Sequence, residues 1–411
     1  MNFQCEKPLV PLRVLVVNPL EQPSRLIISK ILSGSIFGPR QRITLILLVF
    51  GNELSIAEVY KHQLENCAYC CTFSIKVVCN VPSITDADVF CFLTNFPNPN
   101  EIENTQLEDN FHALYLIIKI ATNLVWPDII VEKPAEKQKK TRMRIEEDYD
   151  ENFKPIIIAD GLVTLDLVRS FSKNLPPGLL FCPSHVTAEA RSVLAAHLKV
   201  QPSSLNSIQV WAANDKNLHV EVERPIIIHE DPGKEEDCDV ISKDALEKLS
   251  MDSTEFNDAW MKKEYIDKIK IAASKNTYGD IYRASIMCET LKTIWSSRIN
   301  KDVKINTSIG VISDGSLGTV KGLPYILPVI LKGEKWTLNR KYTDDAHVMG
   351  EVMKFNQIIK KKHDQLMASC NNLLQQHYAE NRADEASTVS TDTFNDKNER
   401  IVAKNSNKMF Y

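Results

Sequence analysis

Residues Leu12 to Val17 (Leu-Arg-Val-Leu-Val-Val) read as a short, buried, β-branched strand, and Leu26 to Leu32 as the start of an amphipathic helix. A strand–turn–helix opening a chain of this length is the usual dinucleotide-binding start. Its turn carries glycines, which let backbone approach a pyrophosphate at the helix N-terminus. Here the turn reads Asn18-Pro19-Leu20-Glu21-Gln22-Pro23-Ser24. It holds no glycine, Pro19 and Pro23 lack N–H donors, and the Glu21 carboxylate stands where phosphate oxygens would lie. Scaffold and site disagree from the first turn onward.

With 411 residues, 44% of them hydrophobic and 25% charged, the chain reads as an ordinary globular protein of about two domains. A net charge of −4 gives no reason to expect nucleic acid or a membrane surface as a partner. The N-terminus lacks the order of a signal peptide, and the apolar run Ile43–Phe50 is too short to span a bilayer. Ten cysteines without a secretory signal predict reduced thiols and a cytoplasmic location. Cys67, Cys70 and Cys71 cluster, but no second pair stands at metal spacing. Packing or adventitious reactivity is the reading, and no metal is expected.

The first half alternates strand candidates (Arg13–Val17, Ile43–Phe50, Ser74–Cys79, Asp88–Leu93, Pro155–Ile158) with helix candidates (Arg25–Leu32, Ile56–Asn66, Thr105–Thr122). That order predicts βαβ units on a parallel sheet with right-handed crossovers. In the second half, Ala188–Leu198, Phe256–Ala273, Tyr278–Ser296 and Asp344–His377 read as helices. Ile208–Ala212, His219–Val222, Pro225–Ile228, Ile309–Ser313 and Tyr325–Leu331 read as strands. Beyond Tyr378 the polar composition predicts a disordered tail. Lys133–Glu151 runs from basic to acidic, as a solvated surface insertion does; a charged docking loop for a protein partner is the sharper alternative.

Several segments together resemble the cytosolic type of the malate dehydrogenase family, and in their divergence its 1B branch. Ser308-Ile309-Gly310-Val311-Ile312-Ser313-Asp314-Gly315, then Leu327-Pro328-Val329-Ile330 and Trp336, is similar to the family's late strand pair. Ser33-Gly34-Ser35-Ile36-Phe37-Gly38 resembles the turn after its first helix, and Asn257 to Tyr265 the start of its long interior helix. Leu64 to Ala68 and Asp86 to Val89 also match. The resemblance implies an α/β fold: a Rossmann-type parallel sheet domain plus a mixed α+β lactate/malate dehydrogenase-like C-terminal domain. The expected division is 1–165, including the insertion 133–151, then 166–377, then the tail 378–411.

Malate oxidation requires a held cofactor, arginines on both substrate carboxylates, a histidine base and a carboxylate that orients it. At the positions the resemblance assigns, each is replaced. Asn18, Glu21 and Ser24 occupy the glycine positions. A carboxylate about 4 Å from a phosphate charge costs on the order of 4 kcal/mol at an effective dielectric of 20. Val49 replaces the ribose-gripping acid. Asn98 and Pro99 stand for the mobile-loop arginines, Ser184 for the third arginine and Val186 for the orienting aspartate. Asn214 stands for the base, whose loss alone costs about 10²–10⁴-fold.

His185 and His219 lie close in sequence to the lost positions and are candidates to reach the cleft, although His219 alternates with Val220 and Val222 as a surface strand histidine does. Asp160, beside Gly161, either brings a carboxylate to the old nicotinamide site or caps the next helix. Two functions follow. The favoured one is a catalytically inactive relative acting through protein binding or assembly, with no cofactor expected. The alternative is an NAD-dependent oxidoreductase with an altered site, interconverting malate and oxaloacetate.

In the resembled family, subunits pair through helices equivalent to Ile56–Asn66 and Ala188–Leu198, with part of Tyr278–Ser296. Ile56, Val59, Tyr60 and Leu64 keep helical spacing. A two-fold dimer, with itself or with a malate dehydrogenase relative, is therefore expected.

Overall fold

The computed structural model describes residues 10–79, 87–124, 154–173, 175–205, 208–222, 226–229, 238–241, 260–341 and 345–406. The charged insertion 133–151, and residues 256–259 of the expected interior helix, lie outside this set.

Six parallel strands build the first part: β1 (Leu12–Val17), β2 (Ile43–Leu48), β3 (Thr72–Val78), β4 (Val89–Phe92), β5 (Ile156–Ala159) and β6 (Leu180–Cys182). Their order in the sheet is β3-β2-β1-β4-β5-β6, that of a doubly wound nucleotide-binding sheet. The crossovers are α1 (Gln22–Leu32), α2 (Leu54–Asn66), the pair α3 (Asn104–Asp109) and α4 (Phe111–Asn123), and α5 (Leu162–Phe171).

Both faces of the sheet are covered, which is why its strands read as continuous apolar runs. Successive side chains of β1 enter opposite layers. Leu15 and Val17 pack with Phe90, Leu114 and Ile117, while Val14 and Val16 pack with Ile27, Ile31 and Met287.

The second part runs α6 (His185–Leu198), β7 (Ile208–Ala212), β8 (Leu218–Val222), β9 (Ile226–His229) and β10 (Cys238–Ile241), then a π-helical turn at Trp260–Tyr265. It continues with α7 (Ile266–Lys275), α8 (Asp280–Ile299), β11 (Ile305–Ile312), β12 (Pro324–Lys332), β13 (Lys335–Leu338) and α9 (Ala346–Ser406). β11 adds antiparallel to β6, and β12, β7 and β8 follow, giving one 11-stranded sheet. The glycine-rich late strand explains itself locally. A Cβ on Gly310 would collide with Cys182 Sγ on the neighbouring strand, and Gly315 holds φ +95°.

Four expectations change. The helix expected over Thr105–Thr122 is two helices, because the backbone at Asn110 leaves the helical region (φ −107°, ψ 22°), where its side-chain amide also donates to the Gln106 carbonyl. The parallel sheet continues past residue 165 to β6, a three-residue strand too short to stand out in the sequence. β2 ends at Leu48, with Val49 buried just beyond it. The last helix runs through the stretch expected to be a disordered tail, as far as Ser406. Side chains from 380 onward lie outside the described set.

Candidate functional site

In open α/β sheets, ligands bind beyond the carboxyl ends of the strands where the strand order reverses. Here that point lies between β1 and β4. Asn18, at φ +55°, follows β1 and donates its amide to the Leu93 carbonyl after β4 at 2.7 Å. The crevice is thereby tied across its mouth by a side chain.

Glu21 is the N-cap of α1 yet accepts no capping hydrogen bond, and Pro23 removes a donor from the first turn. Its carboxyl is half-buried and pushed above the usual carboxylate range, first by burial and then by Glu53. Ser24 is fully buried, and its hydroxyl has no partner among the described residues. Val49 is buried and has no acceptor beyond its backbone. An anionic pyrophosphate and a ribose diol require N–H donors and a carboxylate at these places, and the residues present do not fit them.

The rest of the cleft forms a buried polar network. Asp160 follows β5 and accepts from the Thr94 backbone N at 2.7 Å, from Thr94 Oγ1 at 2.6 Å and from Thr164 Oγ1 at 2.7 Å. Arg283 of α8 reaches it at 3.0 Å, and also donates to the Phe96 and Thr94 carbonyls. Asp160 is therefore neither a free carboxylate nor a simple helix cap; the cap position of α5 is Gly161. Gly161 lies so close to the Pro99 backbone that a side chain there would collide with it, and Pro99 O accepts from Val163 N.

Asp215 forms the second centre. Asn98 and Asn100 donate amides to it at 3.1 and 3.0 Å, and the Tyr278 hydroxyl makes a short bond to it. Burial raises its carboxyl above the ordinary value, opposed by these donors. Tyr278 sits at φ +49°, a strained conformation for a large side chain, and burial beside Asp215 raises its phenol far above normal.

His185 enters the same network. It is buried, its Nε2 lies 3.4 Å from the Asp160 carbonyl, and its ring packs on Tyr278 and Tyr282. Its Nδ1 has no partner among the described residues, and burial pulls its pKa down to about 4. His219 is not a surface histidine: it is 1% exposed, packs on Trp211, and bonds Glu221 at 2.9 Å. The sequence period misses this because α9, whose His347 ring packs on His219, covers the face expected to meet solvent.

The remaining positions singled out by the resemblance have local structural roles. Asn214 Oδ1 accepts from Lys216 N, Asn217 N and Asn217 Nδ2, closing the turn between β7 and β8. Ser184 caps α6 by accepting from Thr187 N, and Val186 is core. The structure thus brings Asn98, Asp160 and His185 together, and leaves Ser184, Val186 and Asn214 in local roles.

Sequence reasoning passed over Arg283, Asp215, Asn100 and Tyr278. For Arg283 a signal existed: it falls on the stripe continued by Met287, Leu291 and Ile294, where an apolar residue belongs. Cys70 and Cys71 lie with sulfurs 3.7 Å apart, and among the described residues no group of three metal-ligating side chains occurs.

No protein-family model matches the chain. In sequence it is 21% identical over 341 residues to the "Putative malate dehydrogenase 1B" of Bos taurus, covering 80% of this chain and 63% of that protein. The Homo sapiens protein of that name matches at 22% over 214 residues, 51% of this chain and 39% of its own length. The cytoplasmic malate dehydrogenase of Homo sapiens is 22% identical over 335 residues, 79% of this chain and 88% of that enzyme.

Among solved structures, a malate dehydrogenase of Naegleria fowleri superposes with a TM-score of 0.60 at 13% identity, covering 88% of this chain and 100% of that one. A Trichomonas vaginalis lactate dehydrogenase in complex with NADH and oxamate reaches 0.63 at 13% identity, covering 89% and 99%. The chain is similar in sequence to the 1B and cytoplasmic malate dehydrogenases and has the two-part α/β fold of the malate and lactate dehydrogenases.

Proposed function

We propose that this chain is a catalytically inactive relative of the malate dehydrogenases that acts through protein binding or assembly. One observation carries the reading: the charges of the cleft neutralise each other. Arg283 is held by Asp160 and two carbonyls, and Asp215 is held by Tyr278, Asn98 and Asn100. A dicarboxylate would have to displace these bonds without an arginine free to receive it. Glu21, Val49 and the Asn18 bridge act the same way on a dinucleotide, so no cofactor is part of this function.

Assembly is supported by α2 and α8. Tyr60 and Leu64 face the chain's own core, while Ile56 and Val59 are 57% and 61% exposed, and Ile281 of α8 is 79% exposed. Large apolar groups left in water on helices are surfaces that pairing would cover. The proposed assembly is a two-fold dimer, with a second copy or with a malate dehydrogenase relative, in the cytoplasm.

The second reading, an altered malate/oxaloacetate oxidoreductase using NAD, draws on His185, whose Nε2 lies at the Asp160 carbonyl and whose Nδ1 has no partner among the described residues. Calorimetric titration with NADH, together with oxaloacetate turnover, separates the two. No saturable binding and no turnover above background are expected; saturable micromolar NADH binding overturns the inactive reading.

A further inference from the structure

A cavity of about 620 Å³ lies between the loop leading into α3, the start of α5 and the middle of α9. Ile102, Leu107, Leu162, Val163, Ile359 and Leu366 supply its apolar lining. The volume falls within the roughly 300–1,000 Å³ of small-molecule sites. Asn100 and Ala213 also line it, but their polar groups belong to the network and turn already described.

Apart from Glu103, the charges of this chamber are internally paired. Lys362 meets Glu101 at 2.7 Å, and His363 Nδ1 lies 2.9 Å from both oxygens of Asp166. Glu103, at the N-cap of α3, is solvent-exposed.

A second, more open space of about 560 Å³ shares His363 with the first. Its charged lining is of one sign: Arg169, Lys173 and Lys321 join His363 there. None of Arg169, Lys173 and Lys321 has a carboxylate partner among the described residues. The apolar chamber thus adjoins, at His363, three cations without a carboxylate partner among the described residues. A free anion leaves the chamber unfilled, and a neutral hydrophobe leaves the cations unused; a molecule that is apolar along its length and anionic at one end satisfies both. The planar guanidinium of Arg169 matches a carboxylate through two parallel N–H donors.

We propose that these two spaces form a binding site for a single-chain alkyl carboxylate, with its chain in the chamber lined by Ile359 and Leu366 and its head at Arg169, Lys173 and Lys321. The site is separate from the remnant cleft and independent of whether that cleft is catalytic.

Calorimetric titration of the full chain with dodecanoate, below its micellar concentration, tests this. Saturable one-to-one binding is expected, with dodecanol at least about tenfold weaker and inorganic phosphate silent. The double variant Lys173→Glu/Lys321→Glu replaces two attractions by repulsions. It should weaken dodecanoate roughly tenfold and leave dodecanol unchanged.

Ala368→Trp adds bulk at an exposed position on the chamber wall and should weaken both ligands. Thermal melting of each variant establishes that it is folded. The proposal is overturned by absent dodecanoate saturation, by equal affinity for dodecanol, or by a folded double variant that binds dodecanoate normally. Unchanged binding in folded Ala368→Trp removes the chamber from the site. A tenfold preference for dodecyl phosphate removes the carboxylate.

Discussion

Arg283 donates to Asp160 at 3.0 Å, joining α8 to the end of β5 across 123 residues of chain, with both side chains buried. The pair fills the cleft with its own counter-charge. Removing one member leaves the other buried without compensation, which typically costs about 3–5 kcal/mol. Arg283→Ala should therefore lower unfolding stability by about that amount in urea titration, since the Thr94 and Phe96 carbonyls lose donors as well. Arg283→Lys should recover only part, because an ammonium cannot reproduce the planar fork. A loss below about 1 kcal/mol would mean that the pair is solvated.

His185 gives the stability a pH dependence of known sign. Unfolded, the ring protonates near 6.5; folded, burial holds it to about 4. Between these values only the unfolded chain binds the proton, so stability rises with pH by about 1.4 kcal/mol per unit. The contribution is complete above the unfolded value and lost as pH falls toward about 4. Asp215, raised by burial, has the opposite slope between its ordinary and its raised value. The difference between wild type and His185→Phe isolates the histidine. Parallel stability curves from pH 4 to 6.5 would refute a neutral buried ring.

Asn214→His places the family's base at its own position. Asn214 Oδ1 accepts three N–H groups in the β7–β8 turn, so the expected effect is a stability loss of about 1–3 kcal/mol. Oxaloacetate turnover should stay at background, because the arginines and the phosphate loop are missing as well. Measurable NADH oxidation by this single variant would restore the oxidoreductase reading.

Pairing through α2 predicts a light-scattering mass of about twice the monomer, alone or on mixing with a cytoplasmic malate dehydrogenase. Ile56→Lys/Val59→Lys puts two charges on exposed positions and should yield a monomer with an unchanged melting profile. A clean monomer from the unaltered chain at micromolar concentration, alone and mixed, removes the assembly.

The sequence by itself determined the parallel sheet and the glycine-free turn that opens it. Apolar runs such as Val14–Val17 can be stable only when covered on both faces, and Asn18 to Ser24 cannot offer a glycine turn whatever surrounds it. Periodicity did not separate α3 from α4, because the break is one non-helical residue, Asn110, inside an otherwise apolar-periodic run. Nor did it divide Ile56 and Val59 from Tyr60 and Leu64; which edge of an apolar stripe meets the sheet depends on how the helix is rolled against it. The network of Asp160, Arg283, Asp215 and Tyr278 was beyond sequence reasoning altogether. Its members lie 63 and 123 residues apart in chain, and only the closure of α8 over β5 and the β7–β8 turn brings them within hydrogen-bond distance. Local chemistry fixes what a residue cannot do; long-range packing decides what occupies the space instead.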